Sequence, residues 1–234
     1  MPNARIKSLK KYLLEFSAIF LGVTASFALS EMSESMAMKK NESKIIADLK
    51  TEVSLIKAYT ENSEKTLKED IELYEQLLNK ETASASLEKF SSKTRVESAL
   101  FNFTPFSPPM ETYQSIIGSD GLRILNSNEL KIALNTLYSR NLNRLLLVVD
   151  DEKHLKSKLL LDYLDRYPEV VTSRADVSIS LNQYIASLES IIDRDEAVKA
   201  EMIIQLKYLK QRLATLQLYL LSAEDLENIL DLEG

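Results

Sequence analysis

RIKSLKKYLLEFSAIFLGVTASFALS, residues 5–30, decides how this chain is read. Arg5, Lys7, Lys10 and Lys11 come first, then fifteen residues without charge from Phe16 to Ser30. Ala18, Gly22, Ser26 and Ser30 recur every four residues within that run. A basic flank, an apolar segment of helical length and a ladder of small residues describe a membrane anchor that can pack closely against another helix. Adding Tyr12, Leu13 and Leu14 extends the expected transmembrane helix to 12–30, with Glu15 near one end. Two other readings fit the same residues. A cleaved secretory signal would use Ala28-Leu29-Ser30 as its small-residue site. A buried core helix is the other, because fifteen residues fall short of the roughly 20 that a span needs.

Glu15 lies seven residues before Gly22 and so shares its helix face. A carboxylate near hydrocarbon is costly and often functional, which raises an ion-coupled site as one reading. Pairing with Lys11 near the headgroups is the simpler one.

Charge is divided along the chain. Four of the 29 basic and one of the 35 acidic residues precede Phe16, so the first fifteen carry +3 and the remainder −9. The positive-inside rule places the N-terminus in the cytoplasm and the acidic body in the periplasm of a Gram-negative cell. An acidic body without a basic stripe argues against nucleic acid as a partner. The absence of cysteine excludes disulfides and thiolate chemistry.

With 4 Gly and 5 Pro in 234 residues, turns are scarce and long helices are expected. The fold class expected is all-α: residues 1–11 a basic N-terminus, 12–30 a transmembrane helix, 31–80 a long stalk continuing it, and 81–234 an antiparallel helical bundle. Ile46, Leu49, Val53, Ile56, Leu67, Ile71, Tyr74 and Leu78 form a heptad-like seam on the stalk. That seam suits either a coiled coil with a second subunit or packing within the chain.

Beyond it, Phe101 to Pro109 holds three Phe and three Pro and reads as an extended segment plugging gaps between helices, or as a partner-docking loop. Ser107 with Pro108 predicts a helix over 108–117, closed by Gly118. Asn126 and Glu129 read as a capping box. A helix over 128–167 carries Leu130, Leu134, Leu137, Leu145, Val148, Leu155, Leu159 and Tyr163, and Pro168 stops it. Asp150-Asp151-Glu152 reads as a solvated face, with His154 exposed or salt-linked beside it. Asp176 is expected to cap a helix of 177–221 with a break near 193–195. Ser222 and Asp225 are expected to cap a last short helix over 223–232.

Two blocks of residues carry a resemblance. The first is Tyr12-Leu13-Leu14-Glu15 with the apolar run around Gly22. The second is Tyr113-Gln114-Ser115-Ile116-Ile117 with Ser119, Gly121, Leu122, Ile124, Asn128, Glu129, Leu130 and Tyr138. Together they resemble a family of bacterial membrane proteins of unknown activity, common in Bacteroidetes and marine bacteria. Its members have a Glu-bearing N-terminal span, a long helix and a central Tyr-x-x-Leu, Ser-x-Gly block. Here Ser30-Glu31-Met32 replaces that family's aromatic-rich exit from the span. The resemblance implies topology and fold and transfers no chemistry.

No catalytic constellation, cofactor motif or metal-ligand spacing is present: there is one His, no Gly-rich phosphate loop and no Ser/His/Asp set. The expected function is a membrane-anchored helical interaction or scaffold protein of the inner membrane. Its expected partners are the membrane and either copies of itself or another membrane protein. The alternative is a periplasmic sensor that binds a ligand near residues 118–123 and the Phe-rich segment and acts through a separate protein.

Overall fold

A computed structural model describes residues 3–79, 90, 92–119 and 121–233, without the side chains of residues 3–15, Ala18 and Arg174. The described residues are helical, with no strand among them. In chain order they form α1 (Asn3–Leu78), α2 (Lys93–Phe101), α3 (Glu111–Gly118) and α4 (Asn128–Asn135). A π-helical turn (Thr136–Asn141) then joins α4 to α5 (Leu142–Arg166), and α6 (Pro168–Ala175), α7 (Leu181–Arg194) and α8 (Glu196–Glu233) follow.

α1 is a single helix of 76 residues, about 114 Å long at 1.5 Å per residue. Its two halves meet different surroundings. Every described side chain from Phe16 to Asn41 is exposed, whereas Ile46, Leu49, Val53, Ile56, Leu67, Ile71 and Tyr74 are buried. The seam therefore packs within its own chain, one of the two readings its spacing allowed for the stalk over 31–80. The bundle takes in α1 from about residue 42 onward.

The partner of that seam is α8. Polar pairs along its edges give the direction: Lys50–Asp231 at 3.1 Å, Lys57–Glu227, Glu64–Gln217 at 2.8 Å and Glu75–Lys210 at 2.6 Å. Numbers rise on α1 as they fall on α8, so the helices are antiparallel. α5 lies against α8, and α7 joins both α1 and α8. Four fully buried tyrosines, Tyr74, Tyr163, Tyr184 and Tyr219, fill the seams with Leu and Ile.

The extended segment plugs this core as its composition suggests. Phe101 meets Tyr163 edge-on at 5.1 Å, and Phe106 lies 5.1 Å from Tyr59 and 5.6 Å from Tyr219. Pro105, Pro108 and Pro109 keep residues 102–110 out of helix.

Several helix ends differ from expectation, each because a different group satisfies the free amides. α3 begins at Glu111 rather than Pro108 and has no cap from its own segment; the Glu52 carboxylate of α1 accepts from Thr112 N–H and Tyr113 N–H instead. Ser127, not Asn126, caps α4, because Glu42 takes both the backbone and side-chain N–H groups of Asn126 at 2.7 Å. Asp176 closes a turn on Ser178, and Ser180 caps α7 in a capping box with Gln183. The separate helix expected over 223–232 does not form. Ser222 is buried and donates to the Tyr219 carbonyl at 2.7 Å, so α8 runs through to Glu233. The expected break near 193–195 is present, at Asp195.

Asp195 caps α8 through Ala197 N–H at 2.9 Å and Val198 N–H at 3.2 Å, and also holds Tyr167 Oη at 2.9 Å and Arg166 Nη1 at 2.8 Å. The Tyr167 hydrogen bond first, aided by these amides and by Arg166, keeps its carboxyl below the usual value of 3.8. A carboxyl whose folded pKa is depressed contributes stability above the unfolded pKa, and that contribution vanishes as pH falls through the folded one. Asp195→Asn should therefore flatten the acid limb of the stability curve below about pH 4. Urea titrations across pH check this; an unchanged limb would show that Asp195 carries none of the acid sensitivity.

Candidate functional site

Two regions stand out: the exposed arm of α1 and a polar cleft in the bundle. The arm presents Phe16, Ile19, Phe20, Leu21, Val23, Phe27 and Leu29 on all sides, each at least half exposed. Met32, Met36 and Met38 continue the apolar surface toward the bundle. The expected interface residues lie here. Glu15 and Ala18 are helical, but their side chains lie outside the described residues. A Cβ added at Gly22 would meet nothing within 4 Å, and Ser26 and Ser30 are exposed, with Ser26 Oγ donating to the Gly22 carbonyl at 2.8 Å.

Among the described residues, no helix is long and apolar enough to cross a membrane. The expected span over 12–30 finds no support among the described residues. Ser17, Thr24, Ser26 and Ser30 dilute the apolar run, Glu31 and Glu34 follow it, and Tyr12 to Glu15 fall outside the described side chains.

The central block is brought together only in part. Tyr113 and Tyr138 stack with centroids 4.1 Å apart and planes 7° off parallel. Tyr138 Oη donates to the buried Glu52 carboxylate at 2.6 Å; burial first, then this hydrogen bond, pushes the phenol pKa far up. Gly121 lies against the end of α3, where a Cβ would sit 3.1 Å from the Ile116 carbonyl oxygen. Ser119 Oγ closes α3 on the Ser115 carbonyl at 2.7 Å, Leu122 packs on the core, and Asn128 is exposed at the start of α4. The block is thus a core joint centred on Glu52. Glu52 stands three residues after Leu49 and four before Ile56, on the buried seam, and that spacing is the signal that marks it.

The cleft, of about 190 Å³, lies between α1, α2, the extended segment, α5 and α8. Asp70, Arg95, Lys156 and Arg212 line it. Arg95 Nη1 is 2.6 Å from Asp70 Oδ1, and its Nη2 is 3.3 Å from Glu69. Beneath them Glu152, fully buried, holds Lys156 Nζ at 3.3 Å and Arg212 Nη1 at 2.9 Å. Lys156 also donates to the Asn102 carbonyl at 3.1 Å and Arg212 to the Thr104 carbonyl at 3.4 Å. Burial pushes the Asp70 carboxyl up, against the lowering influence of Lys156 and Arg95.

Glu152 corrects the reading of Asp150-Asp151-Glu152 as a solvated face. The stripe from Val148 to Leu155 skips one turn, and Glu152 occupies that gap. His154 is exposed, 3.5 Å from Asp150. Among the described residues no cluster of His, Cys, Asp and Glu could hold a metal ion. Of the pocket expected near the Phe-rich segment and residues 118–123, the cleft uses Asn102, Thr104 and Pro105 but nothing from 118–123.

No family model, curated protein or solved structure matches the chain.

Proposed function

We propose that this chain is a membrane-anchored helical interaction protein of the bacterial inner membrane, self-associating through the arm of α1. The observation that carries the reading is the change of environment along one unbroken helix. From residue 42 the apolar face is buried in the bundle. Before it, from Phe16 to Asn41, roughly 40 Å of helix at 1.5 Å per residue stands clear. An exposed apolar surface of this extent calls for a covering phase. A helix apolar on all sides suits lipid better than a groove, which covers one face.

Two details support lipid as that phase. Thr24 Oγ1 donates to the Phe20 carbonyl and Ser26 Oγ to the Gly22 carbonyl, both at 2.8 Å, so these hydroxyls bring no unsatisfied donor into hydrocarbon. The basic flank then lies on the cytoplasmic side and the acidic bundle on the periplasmic side. The open face at Gly22 gives a second arm room for close backbone approach.

Alkaline extraction tests the anchor: the chain is expected to stay with the membrane pellet, and release into the supernatant would refute the tether. Light scattering of the detergent-extracted protein tests the assembly. A defined oligomer is expected for the wild type and monomer mass for Gly22→Leu, whose side chain holds the arms apart. An oligomer that survives the substitution would place the contact elsewhere.

A further inference from the structure

We propose that the turn between α3 and α4, residues 121–127, rests on the headgroup layer of the membrane that holds the arm. The bundle then meets lipid at a second place besides α1. The proposal rests on the anchor reading, because position along α1 sets the depth. A span over 12–30 covers about 28 Å at 1.5 Å per residue, close to the roughly 30 Å of a hydrocarbon core. Headgroups add roughly 5–8 Å on each side, which carries their layer to about Ser35.

The turn stands at that level. The start of α3 is held at Glu52 through Thr112 N–H and Tyr113 N–H, and its end leads into the turn. Asn126 is then held at Glu42, nearer the arm, through both of its N–H groups at 2.7 Å. A shallow cavity of about 300 Å³ separates Asn126 from Glu31, Glu34, Ser35, Met38 and Lys39. Ser35 and Lys39 lie about 8 and 14 Å beyond Ser30 along the helix. The turn is therefore at the outer edge of the headgroup layer, within reach of a side chain.

The chemistry of this end suits such a layer. Met32, Met36 and Met38 are each more than half exposed at the depth of the headgroups. At the tip of the turn Leu122 and Ile124 are half-buried and Arg123 is exposed. A guanidinium on a long apolar stem reaches lipid phosphate while the stem lies along apolar surface. Charge selects the lipid class. Residues 31–44 hold three acids and three bases, and residues 117–131 two of each, so both stretches are neutral. A zwitterionic phospholipid surface matches that balance, since it offers phosphate and ammonium groups together.

The chain has no Trp, so single-Trp variants report depth without background. The full chain is reconstituted in phosphatidylcholine vesicles that carry either a nitroxide on the headgroup or bromines on the acyl chains. Arg123→Trp should lose emission to the headgroup nitroxide, and Phe20→Trp to the acyl-chain bromines. Lys65→Trp should lose it to neither, because Lys65 is exposed and about 40 Å beyond Met38 along α1. If Arg123→Trp does not fold, Asn126→Trp reads the same contact. Quenched Phe20→Trp beside an Arg123→Trp as bright as Lys65→Trp would overturn the docking and leave the anchor standing. Unquenched Phe20→Trp would overturn anchor and docking together. Quenching of Arg123→Trp that appears only after phosphatidylglycerol is added would overturn the assignment to zwitterionic lipid.

Discussion

Replacing Glu52 by alanine should cost about 4 kcal/mol of stability and lower the melting temperature by roughly 8–16 °C for a chain of this size. The carboxylate is 3% exposed and accepts from three donors at once: Thr112 N–H, Tyr113 N–H and Tyr138 Oη. Each buried donor left without a partner costs about 1–3 kcal/mol, and partial relaxation trims the sum. Alanine also opens a gap in the seam between Leu49 and Ile56. Glu52→Gln keeps one acceptor oxygen and should lose about half as much. A double-mutant cycle with Tyr138→Phe separates the phenol's share from that of the α3 amides, since the two sites touch. Urea unfolding followed by circular dichroism reads all four proteins. A loss below about 1 kcal/mol for Glu52→Ala would mean that water reaches the start of α3 and replaces the carboxylate.

The second large effect is expected at Glu152. Glu152→Leu keeps the volume but strands two buried cations, Lys156 and Arg212, and should cost about 3–5 kcal/mol. Lys156→Met alone leaves Glu152 paired with Arg212 and should cost less. The double variant Glu152→Leu with Lys156→Met restores the charge difference of the cleft and should recover about half of the single loss, Arg212 remaining without its carboxylate. A Glu152→Leu protein as stable as wild type would mean that Arg212 and Lys156 turn outward to water at little cost.

These two carboxylates also show where a reading of sequence stops. Both lie on the apolar stripe of a helix, at spacings of three and four from buried neighbours. A seam of Ile, Leu and Val reads as complete without Glu52. Two exposed acids, Asp150 and Asp151, make the neighbouring Glu152 read as solvated. In each case the deciding fact is a partner far along the chain: Tyr113 and Tyr138 for Glu52, Arg212 for Glu152. A cap or counter-ion delivered from another helix leaves no local signature.

The same division runs through the rest of the molecule. Local physics determined the helices: scarce Gly and Pro, stripes at steps of three and four, Pro168 opening α6 and the break before α8. It also determined the polarity change along α1, since fifteen residues without charge stand apart from an acidic remainder whatever the fold. Which partner covers each stripe was a tertiary matter. The seam from Ile46 to Tyr74 could serve a second subunit or its own chain equally well, because a heptad pattern specifies a face and not its occupant. Antiparallel docking of α8 decided it, with Lys50, Lys57, Glu64 and Glu75 fixing the register. Docking also moved the helix ends, because an amide at a helix start takes the nearest acceptor in space. The cleft is the furthest of these results from the sequence: its charges come from residues 70 to 212, and only packing places them within reach of one another.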